Sequence, residues 1–181
     1  MEYLDIKACL DSMQILVDSR EQPSERAERR YKSFGCPYRR QTLEYGDYTY
    51  NFRIGDRELF PDNISVNGDC VIERKASLEE LSGNLTHGRD RFNREFQKAL
   101  DAEASIYLLI EDATIQKMYA GHYKTKFDKN AYFASFMAFL ARYHIQPIFC
   151  PAEMSGRVIY EILYRELKER LERGVYDGFC A

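Results

Sequence analysis

The chain predicts an α/β fold, a sandwich in which helices cover a central sheet. After residue 70, apolar runs of strand length alternate with longer segments of helical period, the pattern of a layered α/β domain. A hydrophobic content of 45%, with 14 Tyr and 11 Phe, supplies the surface for one buried core. A length of 181 residues fits one such domain and would cramp two.

The elements follow in order. QILVDS (14–19) is a short apolar run with polar flanks, which predicts a strand. SERAERRYKSFG (24–35) is rich in helix formers and stops at Gly35, which predicts a helix. YRRQTLEYGDYTYNFRIG (38–55) and DCVIERK (69–75) read as a run of antiparallel strands, divided by the turn residues of PDNISVNG (61–68). Ser77 and Glu80 open SLEELSGNL (77–85) with a capping-box spacing, and Gly83 weakens that helix's end.

In GRDRFNREFQKAL (88–100), Phe92, Phe96, Ala99 and Leu100 share one helical face, with Arg91, Arg94 and Lys98 opposite. SIYLLIED (105–112) reads as a buried strand ending in two acids, and NAYFASFMAFLARYHI (130–145) as a helix apolar around most of its circumference. QPIFCP (146–151) reads as a last core strand. GRVIYEILYRELKERLERG (156–174) closes the pattern as an amphipathic helix carrying Val158, Ile159, Ile162, Leu163 and Leu167 on its apolar stripe.

Composition limits the partners. The net charge of −3 gives no global attraction to nucleic acid, so DNA binding must rest on a local basic surface and a cation. Five cysteines without a CxxC pair predict a reduced, intracellular protein, and the three histidines lack zinc spacing. Neither a leader nor an 18-residue apolar run is read, so no membrane role is expected. The cluster Arg29, Arg30, Lys32, Arg39 and Arg40 reads as an exposed helix and strand start.

Chemistry concentrates in VIERK (71–75), where three charges close an apolar strand. Alternate strand residues share a face, so Glu73 and Lys75 point together while Arg74 points away with Ile72. A carboxylate able to hold Mg²⁺ and an ammonium beside it are the parts that activate a water next to a phosphate. Asp18 in VDSRE, Asp47 in YGDY, and Glu79 and Glu80 also fall near strand ends or helix starts. Asp47 alone is as readily a turn residue satisfying its own backbone.

The succession VDSRE (17–21), GDY (46–48), VIERK (71–75), NLTHGR (84–89) and YLLIED (107–112) resembles the nuclease domain of XPF-family structure-specific endonucleases, within the PD-(D/E)xK superfamily. The resemblance spans about residues 14–170. It implies a restriction-endonuclease-like central mixed sheet flanked by helices, and a Mg²⁺- or Mn²⁺-dependent DNA endonuclease acting on branched or flap DNA in repair, recombination or phage DNA processing. Asp47 and Glu73 are then the principal metal ligands, helped by Asp18 and Glu79. Lys75 orients the attacking water; Arg20, Glu21 and Arg74 support the pocket; Arg89 meets the DNA backbone, with Arg91, Arg94 and Lys98 beside it.

Two departures stand out. The family carries Asp four residues after the lysine, whereas position 79 is Glu; Glu80 takes that place if the helix holds a one-residue insertion. The interval between Asp47 and Glu73 is long for the family, so residues 53–69 are read as an extra loop or β-ribbon able to touch substrate. The expected organisation is a single domain over 14–174, an N-terminal extension (1–13), a C-terminal tail (175–181) and no helix-hairpin-helix module. A homodimer through 130–145 and 156–174 and a separate targeting protein are the expected partners besides DNA. Localisation would be cytoplasmic for a bacterial or phage protein and nuclear for a eukaryotic one. The rival reading is a non-catalytic DNA-binding or partner subunit with a nuclease fold.

Overall fold

The computed structural model describes residues 3–180. Six strands form one mixed sheet: β1 (Gln14–Asp18), β2 (Tyr38–Gln41), β3 (Tyr48–Asn51), β6 (Cys70–Lys75), β7 (Ser105–Glu111) and β8 (Gln146–Cys150), in the order β2-β1-β3-β6-β7-β8. The short strands β4 (Arg53–Ile54) and β5 (Arg57–Glu58) pair separately as a ribbon within the long 53–69 insertion.

The run 38–55 is not wholly antiparallel, as its sequence suggests. β2 lies parallel to β1, with Ile15 opposite Tyr38, because helix α2 (Glu25–Lys32) between them is a crossover. Ser24 starts that helix by accepting the Ala27 N–H at 3.1 Å. β3 is antiparallel to both β1 and β6, and β7 and β8 continue parallel to β6. β8 is an edge strand rather than a core strand: it pairs only with β7, and Gln146 and Pro147 are exposed.

Strand alternation divides the core in two. Ile15, Val17, Tyr48, Tyr50 and Ile72 face one side, covered by α1 (Tyr3–Asp11), α2 and α7 (Ser155–Glu172). Val71, Leu108 and Ile110 face the other, covered by α3 (Leu78–Leu85), α4 (Arg89–Asp101), α5 (Ile115–Ala120) and α6 (Lys129–Tyr143). Gly156 allows α7 to approach α2 closely: a Cβ there would lie 2.2 Å from the Arg30 carbonyl oxygen.

Both terminal segments pack onto this frame. Cys9 and Met13 are buried with α7, and Tyr176 is buried against Phe52; residues 1, 2 and 181 lie outside the described range. Helix α5 has no counterpart in the sequence reading. Among the described residues, no helix is long and apolar enough to cross a membrane.

Helix α6 corrects the sequence reading of its faces. Tyr132, Phe136, Phe139 and Tyr143 are all buried in the protein's own core, where Phe139 stacks on Phe92 at 4.8 Å. The outward face holds exposed Met137 and half-buried Phe133 and Leu140. Because α6 and α7 cover opposite faces of the sheet, a dimer using both must straddle the β8 edge.

Candidate active site

The carboxyl ends of β1 and β6 and the turn into β3 meet at one point. Gly46, at φ +73°, turns the chain so that Asp47 precedes β3, and a Cβ there would sit 3.0 Å from the Val71 Cβ. The Asp47 N–H donates to the Ile72 carbonyl at 2.8 Å, and the Asp18 N–H donates to the Asp47 carbonyl at 2.9 Å. The backbone alone therefore fixes Asp18, Asp47 and β6 against one another.

Side chains complete the arrangement. The Arg74 backbone N–H donates to Asp47 Oδ2 at 2.7 Å, and Lys75 Nζ donates to Glu73 Oε1 at 2.6 Å. Phe92 lies below the ammonium, its ring centroid 5.0 Å away. Arg20 Nε donates to Asp18 Oδ2 at 2.7 Å, while its Nη2 donates to the Leu43 carbonyl at 2.8 Å. Asp18, Glu73 and Lys75 are buried; Asp47 is half-buried.

This crowding perturbs the charges. Desolvation raises the Asp47 carboxyl well above the usual range, and the neighbouring Glu73 carboxylate pushes the same way. Burial alone would lower the Lys75 ammonium, but Glu73 and Asp47 outweigh it and leave it raised. Two close carboxylates with only one ammonium between them favour added positive charge.

A divalent cation is the group the resemblance implies, and the donor set fits one. Among the described residues, no cluster of three or more His, Cys, Asp or Glu side chains is gathered as a complete metal cage. Mg²⁺ does not require one, since it keeps several waters and commonly uses one or two carboxylates plus substrate phosphate. Asp47 and Glu73 would supply those carboxylates.

Three sequence-predicted residues turn out to act elsewhere. Glu21 and the Arg74 side chain lie across the sheet, in a buried ion network with Arg26, Arg30 and Glu111. Glu21 pairs with Arg30 and accepts from Tyr31 at 2.6 Å and Tyr48 at 2.8 Å. Glu111 accepts from Arg26 at 2.7 Å and Arg74 at 3.1 Å, and Arg30 lies 3.5 Å away. Arg30 is thus buried, not part of an exposed basic cluster.

Glu79 is the third: it accepts the Lys124 N–H at 2.8 Å and so anchors the loop before α6. Glu80 reaches back as the capping spacing predicts, accepting the Ala76 N–H at 2.8 Å and standing 3.8 Å from Lys75. Of the two, Glu80 is the residue beside the centre.

On α4, the Arg89, Arg91 and Arg94 side chains are exposed and make no hydrogen bond or ion pair among the described residues. Lys98 instead pairs with Glu44 at 3.3 Å. Sequence reasoning missed Glu95, on the same helix. It lines a small crevice together with Glu73, and desolvation, then the Glu73 charge, raises its carboxyl. Its position next to Phe96, a core-facing residue, was the available signal.

Comparison with curated protein sequences finds no match. Among solved structures, XPF from Aeropyrum pernix is similar, with a TM-score of 0.57 and 16% identity, covering 84% of this chain and 61% of its own. XPF from Aeropyrum pernix in complex with DNA gives a TM-score of 0.58 and 18% identity, covering 86% of this chain and 65% of its own. This chain therefore spans less than two thirds of the length of either. The family model for the ERCC4 domain matches residues 17–162, which contain Asp18, Asp47, Glu73 and Lys75, and the chain belongs to that family of XPF-type nuclease domains.

Proposed function

We propose that the chain is a divalent-cation-dependent DNA endonuclease that hydrolyses phosphodiester bonds, preferring branched or flap DNA in repair, recombination or phage DNA processing. The observation that carries this reading is the convergence of Asp47, Glu73 and Lys75 at the carboxyl end of β6, within an ERCC4 domain. A solved relative of the same fold is described in complex with DNA, which supports DNA as the substrate class.

Each residue has a definite task. A divalent cation, Mg²⁺ or Mn²⁺, would polarise the scissile phosphate and offset the charge that builds on it. Asp47 and Glu73 hold it, and the Arg74 amide fixes the Asp47 carboxylate in place. Lys75, tethered by Glu73, keeps its proton and so donates a hydrogen bond, orienting the attacking water or a phosphate oxygen. Arg20 holds Asp18 at the mouth of the site. The exposed arginines Arg89, Arg91 and Arg94 meet the DNA backbone, where phosphate contacts set position without reading sequence.

Digestion of flap, fork, duplex and single-stranded DNA and RNA, with Mg²⁺, Mn²⁺ or EDTA, tests the reading. Cleavage of DNA that needs the cation and disappears in folded Asp47→Asn and Glu73→Gln supports it. Undiminished cleavage by either variant refutes the site, and DNA binding without cleavage by the wild type supports the partner-subunit reading.

A homodimer is the second part of the proposal, and the outward face of α6 motivates it. Met137 is 47% exposed there beside half-buried Phe133 and Leu140, an apolar strip next to the open β8 edge. Light scattering across a concentration series should give twice 21.3 kDa, and Met137→Glu should halve that mass without unfolding. A wild type that stays monomeric at micromolar concentration overturns it.

A further inference from the structure

Helix α4 sets its apolar residues Phe92, Phe96 and Ala99 against the sheet, and Glu95 stands among them. A crevice of about 10 Å³ lies between this helix and the sheet, with Glu95 on the helix wall and Glu73 and Gly46 on the sheet wall. That is roughly the space one water requires. Its remaining lining is largely apolar, including Val71 and Ile106, so the two carboxylates are the main polar groups facing it.

Glu95 is costly where it stands. It is half-buried, and among the described residues it makes no hydrogen bond and no ion pair within 4.0 Å. Its nearest acidic influence is the Glu73 carboxylate, while Arg91, Lys75 and Arg20 attract it only at longer range. An enclosed acid facing a second acid destabilises the protein unless positive charge enters between them. A neutral residue at position 95 would pack on the same helix face without that repulsion.

Resting on the divalent-cation reading above, we propose that Glu95 is a further cation-facing residue of the active centre, reaching the ion through a water held in the crevice. Helix α4 then contributes to both halves of the function. Glu95 faces inward to the cation, and Arg91, one turn earlier, faces outward to phosphate. The water-mediated contact agrees with the absence, among the described residues, of three acids close enough to form a direct cage.

Glu95→Gln tests this on the full chain, with Mn²⁺ as the probe. Mn²⁺ binding is measured by calorimetry and by the spin-resonance signal of free Mn²⁺, and melting is followed in EDTA and in saturating Mn²⁺. Loss of a residue that orients a metal's own ligands typically weakens affinity about 10- to 100-fold. Glu95→Gln should do so while raising the melting temperature in EDTA, because the repulsion from Glu73 is gone. Glu95→Asp, which keeps the charge, should recover part of the Mn²⁺ affinity and lose the EDTA stabilisation.

Mn²⁺ affinity within twofold of wild type overturns the proposal, as does a lower EDTA melting temperature with unchanged affinity, which marks a structural acid. Glu73→Gln separates the two levels of argument. If it too binds Mn²⁺ as wild type does, the cation site itself is misplaced. If it loses binding while Glu95→Gln keeps it, only the role of Glu95 fails.

Discussion

Replacing Arg30 with Met should strongly destabilise the protein while leaving the cleavage chemistry in place. The Arg30 side chain is 2% exposed and holds Glu21 and, at 3.5 Å, Glu111, while its Nε–H donates to the Tyr48 hydroxyl at 2.9 Å. Methionine fills similar space but removes the charge, leaving carboxylates at sites of low solvent access. Breaking a buried pair in this way costs about 3–5 kcal/mol.

The remaining partners place the loss at the lower end. Glu111, 0% exposed, still has Arg26 at 2.7 Å and Arg74 at 3.1 Å, and Glu21 keeps two tyrosine hydroxyls. A loss of about 3 kcal/mol with a urea slope near 2 kcal/mol/M lowers the midpoint by about 1.5 M. In a domain of this size the melting temperature falls about 6–12 °C. Urea titration followed by circular dichroism measures the shift, and an Arg30→Met, Glu111→Gln cycle measures the coupling. A loss below about 1 kcal/mol at an unchanged slope would show that these charges are solvated and the network is not what secures this face. Cleavage well below the transition should persist, since Arg30 lies across the sheet from Glu73 and Lys75.

Three further outcomes are expected. Gly156→Ala should cost about 1–3 kcal/mol in thermal melts, because its methyl would meet Ser33 Oγ at 2.0 Å and push α7 off α2; unchanged melting would refute that close approach. Lys75→Ala should lower turnover more than DNA affinity and Arg89→Ala the reverse, so parallel losses at fixed salt would reduce the lysine to a phosphate contact. Burial pushes the Cys36 thiol up to about 11, so alkylation should be slow at pH 8, and stability should fall as pH rises from the unfolded thiol's value of about 8.5 through 11; free-thiol reactivity at pH 8 contradicts this.

The strands and the long helices were legible because their signal is periodic and local. Residues 14–18, 70–75 and 105–111 are apolar runs of strand length, and α4 and α7 carry one-sided stripes. What sequence did not reveal depends on partners distant in the chain. The parallel pairing of β2 follows from where α2 crosses, and the burial of Arg30 follows from Glu111, 81 residues away. Phe136 and Phe139 read as candidate interface residues until Phe92 and Phe96 are seen stacked against them. Glu79 and Glu80 differ only by one helical position, and the cap decides: Glu80, three residues after Ser77, turns back to the strand end, leaving Glu79 to the loop at Lys124.

VIERK explains why an acid and two bases follow one another at the end of a buried strand. Strand alternation sends Glu73 and Lys75 to the α4 side and Arg74 to the α2 side, so adjacent charges serve different surfaces. VDSRE is divided in the same way, with Asp18 joining the candidate centre and Glu21 joining Arg30 and Arg74. The Arg74 residue belongs to both, since its side chain binds Glu111 while its amide holds Asp47. The ion network thereby secures from behind the strand that presents the reactive pair in front. A short charged motif therefore defines a site only after each residue has been assigned to a face, because neighbours in sequence can be a full sheet apart in function.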